Sequence, residues 1–493
     1  MPEFKPVVKC EKVGVATTPK LYDRIPARLV LYLLLTLGVT CSTMMRAVMP
    51  LAILAMVKDQ SNDSVEINYT KSNIPYKSVS YGGTLDWSVD AQYYVLASFY
   101  WTYIVTQVIG GLTAQRFGSK ITLGFALLAT SICNMLIPMA SRVHYVLVVV
   151  LQLIQGISQG FVWPSIYFIV SCWVPLQERS RFVTCFQGQA IGYTLVGFAS
   201  GFVIAEFGWS YSFYGVGCSG LLWCLVWYLL SHDKPENHPR IQLSELKYIQ
   251  QYRDKPSLVN RKVPWRSILC SIPMWAIAIT SFGRMWLTST MMVYGNMLLK
   301  DYLGLSIKMN GVFIGISSVG SAVTMVLFSF GSDILVTYNK ISLVNNRKLF
   351  TGIGHIVSGL SAIMLSYSNR NEMLILAAVL LISLFSVASF SGAMVNIIDI
   401  SPNFTGLVSG IVQVVLMASS IFAPAVAKTL LINKPPPYSW ETIFNVSGWV
   451  VLSSYIIYFT FASADVQPWD HADNSKSHSS PYRKNKNQES TKL

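Results

Sequence analysis

The chain has 493 residues, of which 52% are hydrophobic and only 12% charged, with a formal net charge of +14 and a mean hydropathy of +0.46. Soluble domains carry about 25% charged residues, so this composition excludes a soluble enzyme or a soluble binding module. The positive excess would suit nucleic acid, but its distribution along the chain excludes that partner and points to a membrane protein.

A tail, 1–28, with Pro26 close to its end, precedes a first apolar run at about 29–57. Runs of this length read as membrane spans, because about 20 residues at 1.5 Å each cross roughly 30 Å of hydrocarbon. The polar segment 58–90 follows, with glycosylation sequons at Asn62 and Asn68. Spans two to six come close together, near 91–112, 121–139, 145–171, 183–205 and 211–230. The segment 232–266 is charged and holds Pro235, Pro239 and Pro264, and its stretch 243–252 reads as a short amphipathic helix. His232 and His238 in this segment show no metal-like spacing. Six further spans lie near 273–299, 311–335, 349–367, 373–395, 406–430 and 443–463, and a polar, basic tail occupies 465–493. Lipid offers no partner for exposed backbone groups, so the spans must be helices. The fold class is therefore all-α: twelve transmembrane helices in two six-helix halves, 29–231 and 267–464, joined by the basic segment.

With the N-terminus in the cytosol, about 26 of the 37 Lys and Arg residues fall on the inner side, about 9 on the outer, and two within spans. That asymmetry follows the positive-inside rule and places 58–90 outside, where its sequons are usable. None of the eight cysteines falls in a long outer loop, so no disulfide framework is expected. The tails hold no clear acidic dileucine sorting signal, which favours the plasma membrane over lysosomal or vesicular membranes. The terminal Thr491-Lys492-Leu493 reads as a chance ending rather than a scaffold-binding motif. No nucleophile–base constellation or phosphate loop emerges, no cofactor or metal is expected, and the partners are lipid and a small solute.

Ionisable groups within spans cost about 2.5–3.5 kcal/mol on insertion scales, so each is a functional candidate. Arg46 in the first span and Arg284 in the seventh are permanent cations, one in each half. Facing one cavity, they would bind a carboxylate, phosphate or sulfate through charge-assisted hydrogen bonds. Tyr103 and Tyr294 are the aromatic residues best placed to join them, ahead of Tyr94, Trp163 and Tyr167. Gly188, Gly192, Gly197 and Gly201 recur at helical spacing, which reads as close helix packing.

The loop GGLTAQRFGSK (110–120), with Arg116 and Lys120 at a tight turn, resembles the signature loop of the major facilitator superfamily. QGISQGFVWPS (155–165), WVPLQERSR (173–181), GWSYSFYGVG (208–217), KMNGVF (308–313), NIIDISPNFTG (396–406) and VQPW (466–469) together resemble its anion–cation symporter branch, solute carrier family 17. The resemblance implies a transporter of small anions working by alternating access. It also implies latch roles for Arg116 and Lys120. Arg179 and Arg181 are further gating candidates, and Asp399 and Asp333 lie at cytosolic helix ends, where capping is the favoured reading and a gate or latch role the alternative. Arg46 matches a first-span arginine widespread in that family, and Arg284 a seventh-span arginine characteristic of its vesicular glutamate transporters. Four positions depart from the pattern: Gln115 stands in place of the loop Asp, Gln152 and Gln159 in place of fourth-span charges, and Leu96 in place of a second-span histidine.

Glutamine does not titrate, so the family's proton relay is expected to be missing. Glu206 and His355 are the remaining candidates, both read as lying at span ends. The reading is thus a secondary active or facilitative carrier of a small organic anion, monomeric, with Na+ or H+ as coupling ions if any. A sodium-dependent phosphate cotransporter and a non-transporting receptor-like protein are the alternatives.

Overall fold

The computed structural model describes residues 26–57, 83–253, 263–303, 307–368, 371–433 and 438–470. The sequons at Asn62 and Asn68, residues 1–25 and 471–493, and with them the terminal Thr491-Lys492-Leu493, lie outside the described residues. The first half contains α1 (Ala27–Met56), α2 (Val89–Phe117), α3 (Ser119–Val143), α4 (Tyr145–Gln159), α5 (Val162–Trp173), α6 (Arg179–Val183), α7 (Gly188–Phe207) and α8 (Trp209–Leu230). Two short helices, α9 (Leu243–Tyr252) and α10 (Trp265–Leu269), occupy the connecting segment. The second half contains α11 (Ile272–Leu303), α12 (Ile307–Thr337), α13 (Leu343–Ser366), α14 (Glu372–Ser386), α15 (Ala393–Ile400), α16 (Thr405–Asn433) and α17 (Tyr438–Phe461).

Among the described residues three spans are broken. The fourth is α4 followed by α5, with Gly160 and Phe161 between them; the fifth is α6 and α7; the tenth is α14 and α15, joined by the 3-10 turn Val387–Phe390. Among the described residues, eleven spans are long and apolar enough to cross a membrane. The twelfth is α11, which packs along both α16 and α17 in the heart of its half. Arg284 and a run of hydroxyls, Thr280, Ser281, Thr288, Ser289 and Thr290, keep its hydropathy low. Such hydroxyls are satisfied within the helix: Thr288 donates to Arg284 O at 2.9 Å and Ser281 to Ile277 O at 2.6 Å. A polar span is tolerable because its polar atoms face protein rather than lipid.

Glycine sets the closest approaches. A Cβ at Gly188 would sit 2.4 Å from Thr36 O, and one at Gly192 2.7 Å from Thr40 O, so these two residues seat α7 against α1 as the spacing predicts. Gly197 and Gly201 have nothing within 4 Å, so the packing role does not extend to them. Between the halves, a Cβ at Gly111 on α2 would fall 2.3 Å from Gly406 O on α16, and one at Gly410 2.5 Å from Gln107 O.

The chain connecting the halves is tied to the face on which α1 begins and α2 ends. Glu245 of α9 accepts hydrogen bonds from Ala27 N (3.0 Å), Arg28 N (3.2 Å) and Arg28 Nε (2.9 Å), supplying the open end of α1 with the acceptor that Pro26 lacks. Arg28 also pairs with Glu178, and Ile249 buries the apolar side of α9 completely. At the 2–3 turn, Gly118 takes φ +86°, a region disfavoured for residues with a Cβ. Asp233 then accepts from Lys120 N at 2.7 Å and caps α3. Burial pushes the Asp233 carboxyl above its ordinary range, against the opposing pull of the Lys120 and Ser119 amides.

Candidate functional site

Arg46 projects from the middle of α1 towards α2 and α7. Its Nη2 donates to Tyr193 Oη at 3.4 Å, and its guanidinium lies 5.8 Å from the Tyr103 ring and 6.0 Å from the Tyr193 ring. Tyr100 on α2 completes the electrostatic surroundings. The Tyr103 hydroxyl is buried beside Arg46 and Gln107 without a well-formed hydrogen bond, and both polar atoms of the Gln107 amide are likewise buried and unpaired.

Arg284 projects from α11. Its guanidinium sits 4.7 Å from the Phe390 ring, in the break of the tenth span, and the Tyr167 hydroxyl of α5 is within electrostatic reach. Tyr167 belongs to the first half, so Arg284 looks across the boundary between halves. Tyr167 is held by Phe186, ring centres 5.0 Å apart, and Phe186 is stacked on Trp163 at 4.2 Å. The Tyr167 hydroxyl is buried with no partner.

Neither Arg46 nor Arg284 has a carboxylate partner among the described residues, and the Nε of each is buried without a hydrogen bond. Both are instead walled by aromatic faces, which favour a cation by about 0.5–2 kcal/mol each. Two caged cations with unspent donors, surrounded by unpaired phenols and amides, leave a polar interior short of negative charge.

Of the residues singled out in the sequence, Arg46, Arg284 and Tyr103 take such positions. Tyr294 donates to Pro424 O at 3.2 Å and meets the Trp440 ring edge-on at 6.2 Å, within the apolar core of the second half. Tyr193 and Phe390 escaped sequence reasoning, because aromatic residues are common in apolar spans and nothing in the sequence sets these two apart. His355, read as a span-end residue, is in fact midway along α13 and 1% exposed. The span begins earlier than its hydropathy implies, because α13 opens on the polar stretch Asn345, Asn346 and Arg347. Glu206 is at the end of α7 and exposed, as expected.

A second constellation joins the halves near the α9 face. Asp399 of α15 accepts from Arg179 Nη1 at 2.8 Å across the boundary, and from Arg347 Nε at 2.7 Å within its own half. Arg347 Nη1 also donates to Ser180 Oγ at 3.0 Å and to Ser391 O at 3.1 Å. Asp333 of α12 accepts from Ser180 N (3.2 Å) and Arg181 N (3.0 Å) and pairs with Arg181 Nε at 3.2 Å. Arg179, Arg347, Asp333 and Asp399 are each at most 2% exposed. Arg179, Arg181, Asp399 and Asp333 were legible as gate candidates; Arg347 was not. Lys120 sits at the Asp233 cap, whereas Arg116 is exposed over the Phe117 ring, 5.4 Å from its centre. The described cysteines are all free.

Two six-span halves enclosing a polar, cation-bearing interior define a class: a multi-pass membrane transporter rather than an enzyme. The Major Facilitator Superfamily model matches residues 34–424. The chain belongs to that superfamily and, within it, to the anion–cation symporter branch, solute carrier family 17. It is 30% identical to a probable small intestine urate exporter of Mus musculus, over 85% of this chain and 87% of the relative. It is 30% identical to vesicular glutamate transporter 1 of Xenopus laevis (95% and 80%) and 28% identical to human sialin (86% and 87%). Its fold is that of the proton:xylose symporter XylE bound to 6-bromo-6-deoxy-D-glucose, with a TM-score of 0.67 at 17% identity over 88% of this chain and 96% of the other.

Proposed function

We propose that the protein carries a small organic anion, a carboxylate or a comparably delocalised anion, by alternating access between its two halves. One observation supports this above others: two half-buried guanidiniums, one per half, lack any carboxylate partner among the described residues, and the Nε of each is buried with its donor unused. An incoming anion supplies the missing charge, and charge-assisted hydrogen bonds to it are worth about 1.5–3 kcal/mol each. Relatives named for urate and glutamate agree with a carrier of delocalised or carboxylate anions.

The Arg179–Asp399–Arg347 cluster and the Gly111–Gly406 contact close the α9 face. With the positive-inside orientation this face is cytosolic, so the conformation described is closed to the cytosol, and inward opening requires the cluster to separate. The plasma membrane is the proposed location; surface biotinylation of intact cells tests it, and an exclusively intracellular pool would refute it.

Reconstituted protein should exchange at least one of radiolabelled urate, glutamate and sialic acid across liposome membranes. Exchange should fall at least tenfold in Arg46→Gln and in Arg284→Gln. Exchange of inorganic phosphate alone, dependent on sodium, would replace this reading with phosphate cotransport. Full activity in either variant would remove its basis.

A further inference from the structure

We propose that His355 is the proton-coupling group of the anion cycle, taking up one proton as an anion binds at Arg284 and releasing it when the anion leaves. This rests on the anion reading above and adds to it the coupling ion and the residue that carries it.

Both nitrogens of the His355 ring have partners. Nδ1 lies 3.0 Å from Thr351 O and 3.2 Å from Ser389 Oγ; Nε2 lies 3.0 Å from Thr280 Oγ1 and 3.1 Å from Thr280 O. Carbonyl oxygens only accept, so each ring nitrogen faces one acceptor that rewards an N–H and one hydroxyl that can serve either way. The neutral ring is satisfied with Nδ1–H donating to Thr351 O and the Thr280 hydroxyl donating to Nε2. The charged ring is satisfied by the same first bond, with Nε2–H donating to Thr280 O. Both protonation states therefore have a complete set of partners without a change of rotamer.

The location ties this switch to the anion. Thr280 is one helical turn from Arg284 on α11, and its carbonyl is the helical acceptor of the Arg284 amide. Among the charged and titratable groups packed around the ring, α11 presents Arg284, α17 presents Tyr455 with its ring centre 6.1 Å away, and the turn Val387–Phe390 presents only Ser389. From α5, Tyr167 reaches Arg284 rather than the histidine. No carboxylate faces the imidazole among the described residues. Burial of the ring is the larger obstacle to a second positive charge and the unneutralised Arg284 adds to it; an anion on Arg284 removes the second obstacle. Linkage makes the effect mutual: anion binding favours protonation, and protonation favours anion binding. The proton comes from water on the open side and returns to water on the other, so a monovalent anion and its proton cross without net charge.

On its other side the ring is one turn from the gate. Thr351 Oγ1 donates to Arg347 O at 2.7 Å and accepts from Ala393 N at 2.8 Å, and Arg347 holds Asp399. His355 thus stands between the residue that would meet the anion and the residue that holds the halves together.

The test separates exchange from uphill transport, using the anions of the panel above in liposomes with the membrane potential clamped. Under an inward gradient of one pH unit, one-to-one coupling drives about tenfold accumulation in the wild type. In His355→Gln accumulation should fall to no gradient at all while counterflow remains measurable. In weakly buffered detergent solution the wild type should take up about one proton per anion bound, and His355→Gln none. Thr280→Val covers the case in which His355→Gln does not fold. It keeps the imidazole and removes the hydroxyl that the neutral ring needs, so the pH profile of coupled uptake should move upward by about 0.5–1 unit. Wild-type accumulation indifferent to the pH gradient would overturn the proposal, as would undiminished accumulation in His355→Gln or an unmoved profile in Thr280→Val. Absence of wild-type counterflow with every anion would overturn the anion reading itself and this inference with it.

Discussion

Arg46 and Arg284 differ in what surrounds them, and the difference predicts different tolerances. Arg46 already spends one donor on Tyr193 Oη and has two phenol rings within 6.0 Å, so part of its geometry is fixed before any solute arrives. Among the described residues Arg284 has one ring over it, Phe390, and an unpaired hydroxyl, Tyr167, across the boundary. A lysine keeps the charge but loses the planar fork and its stacking. We expect Arg46→Lys to weaken anion affinity by about 10-fold or more, since both the cage and the bidentate pairing are lost. Arg284→Lys should cost less, about 3-fold, because the charge is its main contribution. Anion-dependent thermal stabilisation of the purified protein measures both; equal losses would mean that the cage around Arg46 is irrelevant to binding. Both arginines were legible in the sequence because a guanidinium in an apolar run has to be explained. Arg347 was not, since it stands near the start of its span, where basic residues are routine. What makes it special is the pair of buried contacts with Asp399 and Ser180, and those depend on elements 52 and 167 residues away.

At the scale of helices, the apolar runs located every span, because lipid imposes one length and one secondary structure on each, but polar helix ends fell outside them, as where α13 begins at Leu343 rather than near 349. The interruptions were harder to read. The tenth span reads in the sequence as one apolar run, yet its 3-10 turn brings Phe390 to Arg284 and Ser389 to His355. A turn of this kind leaves no hydropathy signature, since Val387, Ala388 and Phe390 are as apolar as any helical residue. Glycine pairs carry a clearer element-scale prediction. The α2–α16 contact has no space for a methyl group at Gly111, where the nearest atoms are the backbone of Gly406 and Leu407. Backbone cannot rotate away as a side chain can. Gly111→Ala should therefore hold the α9 face apart, raising the reactivity of an introduced cysteine at Gln107 towards reagents from that side and lowering exchange several-fold with little loss of expression. Gly197→Ala, at a position with open space, should leave exchange unchanged.

For the whole molecule the decisive quantity is the free-energy difference between the two access states. Composition and charge asymmetry specify two halves and a proposed orientation, but no sequence pattern states which contacts balance the states. In the conformation described, Asp399 sits between two buried cations, one from each half. Removing one member of such a cluster leaves charge uncompensated in a low-dielectric interior, a loss of about 3–5 kcal/mol for a buried pair. Only the closed α9 face suffers that full loss. Once the halves part, Arg179 reaches water while Arg347 keeps Ser391 O and Ser332 within its own half. Asp399→Asn should consequently move the population towards the state open on the α9 face. A shift of 3 kcal/mol is worth more than a hundredfold in the equilibrium constant. The readout is paired cysteine accessibility, with one probe at Gln107 and one at Gly197. Reactivity at Gln107 should rise as reactivity at Gly197 falls, and exchange should slow because the return to the other state becomes the limiting step. Unchanged accessibility at both positions would mean that the cluster only stabilises the fold, and that the glycine seam between α2 and α16 holds the face shut without it.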